Sequence, residues 1–393
     1  MEATGTAAHL EDLAIRKFVA PEIVFGAGAR LLAGRYARNL GARRVLVVTD
    51  PGVVAAGWTE QVTSSLESEG LRHVVFSEVG PNPIAEQVMA GAEVYLAEKC
   101  NAIVAVGGGS PIDCAKGIGI VCTNKEHILR FEGADQVRLP GPPLICVPTT
   151  AGSSADVSQF AIINDTERRV KVAIISKMLV PDAALIDPVT TTTMDAYLTA
   201  CTGIDALTHA FEAFASNAHS PITDLHALEA VRLVGSNLVA ATQRPDDVEV
   251  RGQMMLASLF AGLAFSNASL GAVHAMAHSL GGRLGLPHGE CNAMLLGPVV
   301  AYNYDAAPER YRRLAQAMGG QMAGDSQDGK SALVEALTRL RVAAGVSLTL
   351  GQVGVSRGDI AALAASAMMD PCMVTNPRRP TQRDVEVAYE EAL

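Results

Sequence analysis

The feature that most constrains this chain is a change of rhythm near Thr191. Before it, short β-branched runs recur at Arg44–Val48, His73–Phe76, Ala102–Val106 and Leu144–Val147. The first three are followed by turn residues: Asp50-Pro51-Gly52, Gly80-Pro81-Asn82-Pro83 and Gly107-Gly108-Gly109-Ser110-Pro111. Stretches between them, such as Ile84–Glu98, carry helical periodicity. Continuous apolar strands separated by helices predict a parallel sheet covered on both faces. Beyond Thr191 the strand signal is gone. Apolar residues there recur at 3.6-residue spacing in Met194–Ser216, Pro221–Thr242, Asp247–Ser266 and Pro308–Met318. The expectation is an α/β domain over residues 1–188 and an all-helical domain over 189–393, divided near Asp187-Pro188. A chain of 393 residues has the length for two cores.

A net charge of −10 without a long basic block argues against nucleic acid as a partner. The Arg168-Arg169 and Arg378-Arg379 pairs read as solvated surface. Seven cysteines are scattered at Cys100, Cys114, Cys122, Cys146, Cys201, Cys291 and Cys372, an odd number with no CxxC spacing. In a chain of this size that pattern reads as reduced, buried thiols in the cytoplasm. Met1–Glu11 is polar and acidic, without the basic and apolar regions of a signal peptide. No run of about 18 apolar residues exists to span a membrane.

Val104-Ala105-Val106-Gly107-Gly108-Gly109-Ser110-Pro111-Ile112-Asp113 reads as a strand, a glycine turn and the start of a helix. Glycines there let the backbone approach a pyrophosphate, and the helix N-terminus meets its charge. Ser110 is placed to cap that helix and reach a phosphate oxygen. The α/β domain is therefore expected to be a Rossmann-like dinucleotide-binding unit, although the turn is not the GxGxxG fingerprint. Gly26-Ala27-Gly28 precedes the first good βαβ unit and reads as structural. Asp50, at the end of the Val45–Val48 strand, is placed to accept from an adenosine ribose 2′-OH and to repel a 2′-phosphate, favouring NAD over NADP. An Asp-Pro-Gly turn former is the plainer alternative for it. Pro148-Thr149-Thr150-Ala151-Gly152-Ser153-Ser154 also follows a strand and offers hydroxyls to phosphates or to the nicotinamide carboxamide.

In the second half, Asp205 and His209 are four apart, so on a helix they share one face. His274 and His278 repeat that spacing, and His288 follows in a Gly/Pro-rich loop. One carboxylate and several imidazoles suffice for a protein cage around a divalent ion. A set with oxygen and nitrogen donors and no thiolate suits Fe(II), Zn(II) or Mn(II). His9, His73, His127, His219 and His226 lack matching partners and read as surface residues.

The ordered motifs GGGSPIDCAK, PTTAGSSADV, LVPDAALIDP, GIDALTHAFEAF, GAVHAMAHSLGG and LPHGECNAMLL resemble the iron-containing (group III) alcohol dehydrogenase family. The resemblance runs from about Ala20 to Asn376-Pro377-Arg378. It implies Asp205, His209, His274 and His288 as metal ligands. It further implies Asn82, Gly108, Gly109, Ser110, Asp113, Thr149, Thr150, Ser153, Lys171 and Leu185 around NAD, with Asp50 at the ribose. His278 matches a family histidine near the nicotinamide and substrate and is the expected catalytic proton relay. Phe265, Leu270 and Cys372 align with residues of the alcohol pocket. Where the family commonly has Thr and Ser-Glu-Val-Thr, this chain has Ser153 and Ser154-Ala155-Asp156-Val157-Ser158, which leaves the substrate open.

The resemblance implies reversible hydride transfer between NAD and a small primary alcohol or diol, with Fe2+ (Zn2+ as the alternative) polarising the substrate oxygen. Four protein ligands leave room for substrate at a five- or six-coordinate ion, which Fe(II) tolerates readily. Alternatives are a maleylacetate-reductase-like or glycerol-dehydrogenase-like oxidoreductase, a low-turnover regulatory or sensory member, or a purely structural metal-binding bundle. The family's habit of self-association implies a homodimer or larger homo-oligomer.

Overall fold

In the computed structural model, residues 15–319 and 326–393 are described. Met1–Glu11 and His9 lie outside them. Among the described residues nine strands form: β1 (Glu22–Phe25), β2 (Arg44–Val48), β3 (Arg72–Phe76), β4 (Ala102–Gly107), β5 (Gly133–Ala134), β6 (Leu144–Pro148), β7 (Phe160–Asp165), β8 (Val170–Ile175) and β9 (Ala183–Ile186). The four expected runs are strands to within one residue. Six strands make one all-parallel sheet in the order β1-β9-β6-β4-β2-β3.

Alternation along β2 and β4 explains the burial of both faces. Leu46, Val48, Ile103 and Ala105 pack on one side with Ile112, Ile118 and Val88. Val45, Val47, Val104 and Val106 pack on the other with Ala33, Val62 and Leu66. Those partners come from α1 (Ala33–Asn39), α3 (Trp58–Ser68), α4 (Ala85–Ala97) and α5 (Gly109–Asn124), with the short α2 (Pro51–Ala55) following β2.

Two local expectations are corrected. Asp50-Pro51-Gly52 is a helix start rather than a free turn: Asp50 Oδ1 accepts from Val53 N–H at 2.9 Å, with Pro51 at the first helical position. Ser110 does not cap α5, because the helix already begins at Gly109 and a cap must precede the first turn. The sequence reading also passed over the antiparallel hairpin β7–β8, which with β5 forms a second, three-stranded sheet.

After β9 the chain is helical: α6 (Ala196–Ala215), α7 (Pro221–Gln243), α8 (Val248–Ala268), α9 (Ala272–Leu284), α10 (His288–Asn303), α11 (Pro308–Ala317), α12 (Ser326–Ala343), α13 (Ile360–Ala367) and α14 (Gln382–Ala392). Asp195, Ser220 and Asp247 cap α6, α7 and α8 through their side chains, which is why those starts were legible. Nearly every residue of α6 from Thr199 onward is buried, so it is a central helix rather than an amphipathic one. Its Ile204 and Phe211 share a core with Phe160, Ala184 and Ile186 of the sheet half. Among the described residues no single helix is long and apolar enough to cross a membrane.

Candidate active site

The strand order reverses between β2 and β4, since β3 lies beyond β2 while β6 and β9 continue from β4 on the other side. Loops at the carboxyl ends of parallel strands part at such a point and leave a crevice. A cleft of about 980 Å3 opens there, within the range of small-molecule and cofactor sites. Its sheet-side wall includes Asp50 after β2, Asn82 after β3, Gly108, Gly109 and Ser110 after β4, and Thr149, Thr150 and Ser153 after β6.

Gly109 is a close approach: a Cβ there would lie 2.9 Å from Ser153 Cβ. Asp113 reaches the cleft from α5 and also accepts the Ile162 N–H at 3.1 Å, holding β7 against the helix. Burial lifts its carboxyl to about 6, opposed by Lys116, the Ile162 amide and Lys171. Lys171 enters from the unanticipated β8, and burial lowers its ammonium against the pull of Cys291, Asp205 and Asp113.

The opposite wall is helical. Asp205 and His209 project one turn apart from α6, His274 comes from α9, and His288 is the first residue of α10 rather than a loop residue. One donor atom from each of the four lies within 4.8 Å of the others. Nε2 of His274 and of His288 are 3.8 and 3.7 Å from Asp205 Oδ1. Two ligand atoms each about 2.1 Å from one ion lie roughly 3 to 4 Å apart, so these spacings suit a shared cation.

Hydrogen bonds behind the rings orient them. Nδ1 of His209 is 3.2 Å from the Gly152 carbonyl, and Nδ1 of His274 is 2.6 Å from Glu212 Oε2. With those nitrogens engaged, Nε2 is left toward the centre of the group, the usual arrangement of metal-binding histidines. Burial holds the His209 imidazole down to about 3 and His288 well below its ordinary value, so both are neutral electron-pair donors. Burial opposes ionisation of Asp205, but His209, His288 and His274 outweigh it and keep the carboxylate charged. Asn292 Nδ2 donates to Asp205 Oδ1 at 2.7 Å, and Nδ1 of His288 is a buried atom without a partner among the described residues. Burial opposes the charged form of His274, but Asp205 and Glu212 outweigh it and raise its imidazole to about 9, so this ring would give up a proton to an incoming cation. Imidazoles and a carboxylate converging in a buried pocket fit a divalent ion with oxygen and nitrogen preference.

His278, one turn beyond His274, also faces the cleft. Its Nδ1 is 2.8 Å from Asp370 Oδ2, and its ring stacks on that of His288 at 5.3 Å. Phe265 stacks on His209 at 4.2 Å, and Leu270 stands beside it in the cleft wall. Two expected residues are not brought to that wall. Leu185 is fully buried in β9, among Val45, Val104 and Val147. Cys372 is buried behind His278, its amide donating to Asp370 Oδ1 at 2.8 Å. Burial, with the neighbouring Asp370 charge, raises its thiol well above the ordinary range.

His226 is not a surface residue either: it is half-buried, stacked between Phe18 and Phe260. Residues absent from the sequence reading include Glu212, Asn292 and Asp370. Glu212 and Asn292 had a signal, since each lies three or four residues from an expected ligand on the same helix. Asp370 had none, being 92 residues from its partner His278.

Residues 20–188 match the sequence profile of iron-containing alcohol dehydrogenase, and residues 199–393 match that of the C-terminal part of the Fe-containing alcohol dehydrogenase family. The chain is 38% identical over 372 residues to the 1,3-propanediol dehydrogenase of Klebsiella pneumoniae, covering 94% of this chain and 96% of that one. It is 35% identical over 377 residues to the NAD-dependent methanol dehydrogenase of Bacillus methanolicus, covering 96% and 99%. A crystal structure of 1,3-propanediol oxidoreductase superposes with a TM-score of 0.94 at 37% identity, covering 96% of this chain and all of that one.

Proposed function

Because this chain belongs to the iron-containing alcohol dehydrogenase family, we propose that it is an NAD-dependent dehydrogenase of small primary alcohols or diols, working reversibly with their aldehydes. One observation carries the reading: the Asp205–His209–His274–His288 group and the glycine-rich strand-end loops share a single cleft. In this reading residues 1–188 hold the dinucleotide, residues 189–393 hold the metal, and chemistry occurs between them. When bound, NAD supplies a hydride acceptor and a divalent ion, Fe2+ in the first instance and Zn2+ as the alternative, a Lewis acid.

The chain's own residues do the rest. Gly108, Gly109 and Ser110 offer backbone and hydroxyl groups to the pyrophosphate, and Asp50 stands at the ribose. Thr149, Thr150, Ser153 and Lys171 orient the nicotinamide end. Phe265 and Leu270 exclude water from the reacting carbon. His278 takes the hydroxyl proton at Nε2 and passes it outward, with Asp370 holding Nδ1.

The lining also bears on the substrate. Among the described residues Lys171 is the only Lys or Arg lining the cleft. A dicarboxylate of the maleylacetate type would need more cations, so neutral alcohols are favoured. The cytoplasm and a homodimer belong to the same reading. Among the described residues β1 is the edge strand of the large sheet with no strand beyond it, which supports self-association, and sedimentation would test it.

The deciding experiment is NADH formation with a panel of C2–C4 alcohols and diols, using protein stripped with chelator and reloaded anaerobically with Fe(II) or Zn(II). Turnover restored by metal supports the proposal. NADH binding without turnover on any alcohol, with either metal, would favour the low-turnover regulatory alternative.

A further inference from the structure

The N-terminus of α9 has no cap of its own. The residue before it is Gly271, which has no side chain, so the first amides must find acceptors elsewhere. Both acceptors come from distant segments. Ala272 N–H donates to Asn376 Oδ1 at 3.1 Å, and Val273 N–H donates to Glu212 Oε1 at 2.6 Å. The other oxygen of the Glu212 carboxylate, Oε2, is 2.6 Å from Nδ1 of His274. Glu212 is only 7% exposed, so water does not substitute for either contact.

We infer that Glu212 is a positioning residue for the metal: one carboxylate caps α9 and fixes His274 with its proton on Nδ1 and its lone pair on Nε2. This rests on the reading of His274 as a ligand. The geometry excludes an amide in the same place. Two donors face the two oxygens, and only a carboxylate accepts from both. A glutamine of the same shape has one acceptor. Whichever way its amide turns, its NH2 opposes the Val273 amide or the imidazole, or drives the imidazole proton onto Nε2, where it blocks a metal.

Gly271 is part of the same device. A Cβ there would lie 2.9 Å from Glu212 Oε1 and 2.9 Å from Asn376 Oδ1, so the missing side chain is the space both acceptors use. Asn376 is itself locked by Asn303 through bonds of 2.9 and 2.8 Å, which fixes the second acceptor at the start of α9.

The test reads metal affinity rather than turnover. Zn(II) is titrated against a chromophoric chelator in wild type, Glu212→Gln, His274→Ala and the double variant. Glu212→Gln is expected to weaken zinc by about 10- to 100-fold, the usual cost of deleting such a partner. NADH quenching of the single tryptophan, Trp58, which lines the cleft, is expected to stay as in wild type. In the His274→Ala background, Glu212→Gln is expected to cost nothing more. Wild-type zinc affinity in Glu212→Gln, or an equal loss in both backgrounds, overturns the inference. Unchanged affinity in His274→Ala alone overturns instead the reading of His274 as a ligand. Should Glu212→Gln not fold, the zinc-loaded wild type decides by nuclear magnetic resonance. The His274 Nδ1 proton is expected as a low-field, slowly exchanging resonance, and a fast-exchanging one overturns the inference.

Discussion

The two walls of the cleft are built on different principles. The sheet-side wall is made of loops at strand ends, where Gly108, Gly109, Thr149 and Thr150 present backbone and hydroxyl groups. The helical wall is made of ionisable side chains, three of its imidazoles held from behind: His209 by Gly152, His274 by Glu212 and His278 by Asp370. A loop wall recognises a large, flexible ligand through many weak contacts. A wall of braced side chains fixes a few atoms, and loses its purpose when one is removed. The same fold thus keeps tolerance and precision on opposite sides of one gap.

The largest expected effect breaks that division where it is sharpest. His274→Ala or Asp205→Ala should reduce alcohol oxidation by about 100-fold or more, the range seen when one group stabilising transition-state charge is deleted. Quenching of Trp58 by NADH should persist in both variants, and in chelator-stripped wild type. Loss of NADH binding along with the metal would show that the walls are one unit. Asp370→Asn comes next. With Nδ1 of His278 no longer facing a carboxylate, kcat should fall by about 100-fold, the lower end of general acid–base contributions. The KM for NAD and the metal content should not move, and a change confined to metal content would remove His278 from the proton path.

Smaller effects belong to the other wall. In Gly109→Ala the new Cβ meets Ser153, and a strain of about 1–2 kcal/mol in the NAD-bound geometry should raise the KM for NAD about tenfold. Zinc affinity, measured by chelator competition, should equal wild type. The last effect leaves the chemistry untouched and concerns stability, through Asp156, whose carboxyl is raised to about 6 by burial, against its own amide and Lys116. A carboxyl raised in the folded state binds more protons there than in the unfolded chain. Stability is therefore lost as pH climbs from about 4 to 6. Asp156→Asn should add on the order of 1–3 kcal/mol at pH 7.5 and nothing at pH 4, read from urea denaturation. An equal gain at both values would assign the effect to packing.

The same contrast sets how much could be read in the sequence. Val45–Val48 and Ala102–Val106 were legible as strands because burial on both faces leaves an unbroken apolar run. Asp205 and His209, or His274 and His278, were legible because helical spacing is local. The β7–β8 hairpin, which delivers Lys171, stands outside the alternation of strand and helix on which the sheet expectation rests, because its two strands pair antiparallel in a separate sheet. Asp370 escaped for a stricter reason: only the folded backbone brings it to His278. Leu185 shows the reverse case, a position inside a family motif whose side chain lies in the core. Spacing on one element is visible in one dimension, while the bracing between elements is not.

The pairing of β1 with β9 has a consequence in time. Glu22 lies opposite Ala183, so the first strand made must wait for a partner 161 residues later in the chain. At typical rates of synthesis that wait is roughly 10 to 30 s. Once β6 is made the growing sheet keeps an open edge there until β9 follows, and an unpaired segment trails at its start. Parallel pairings of this range close slowly and late, leaving a sticky intermediate in the interval. The order of birth of the strands, more than the strength of any contact, therefore sets when this protein is most vulnerable to misassembly.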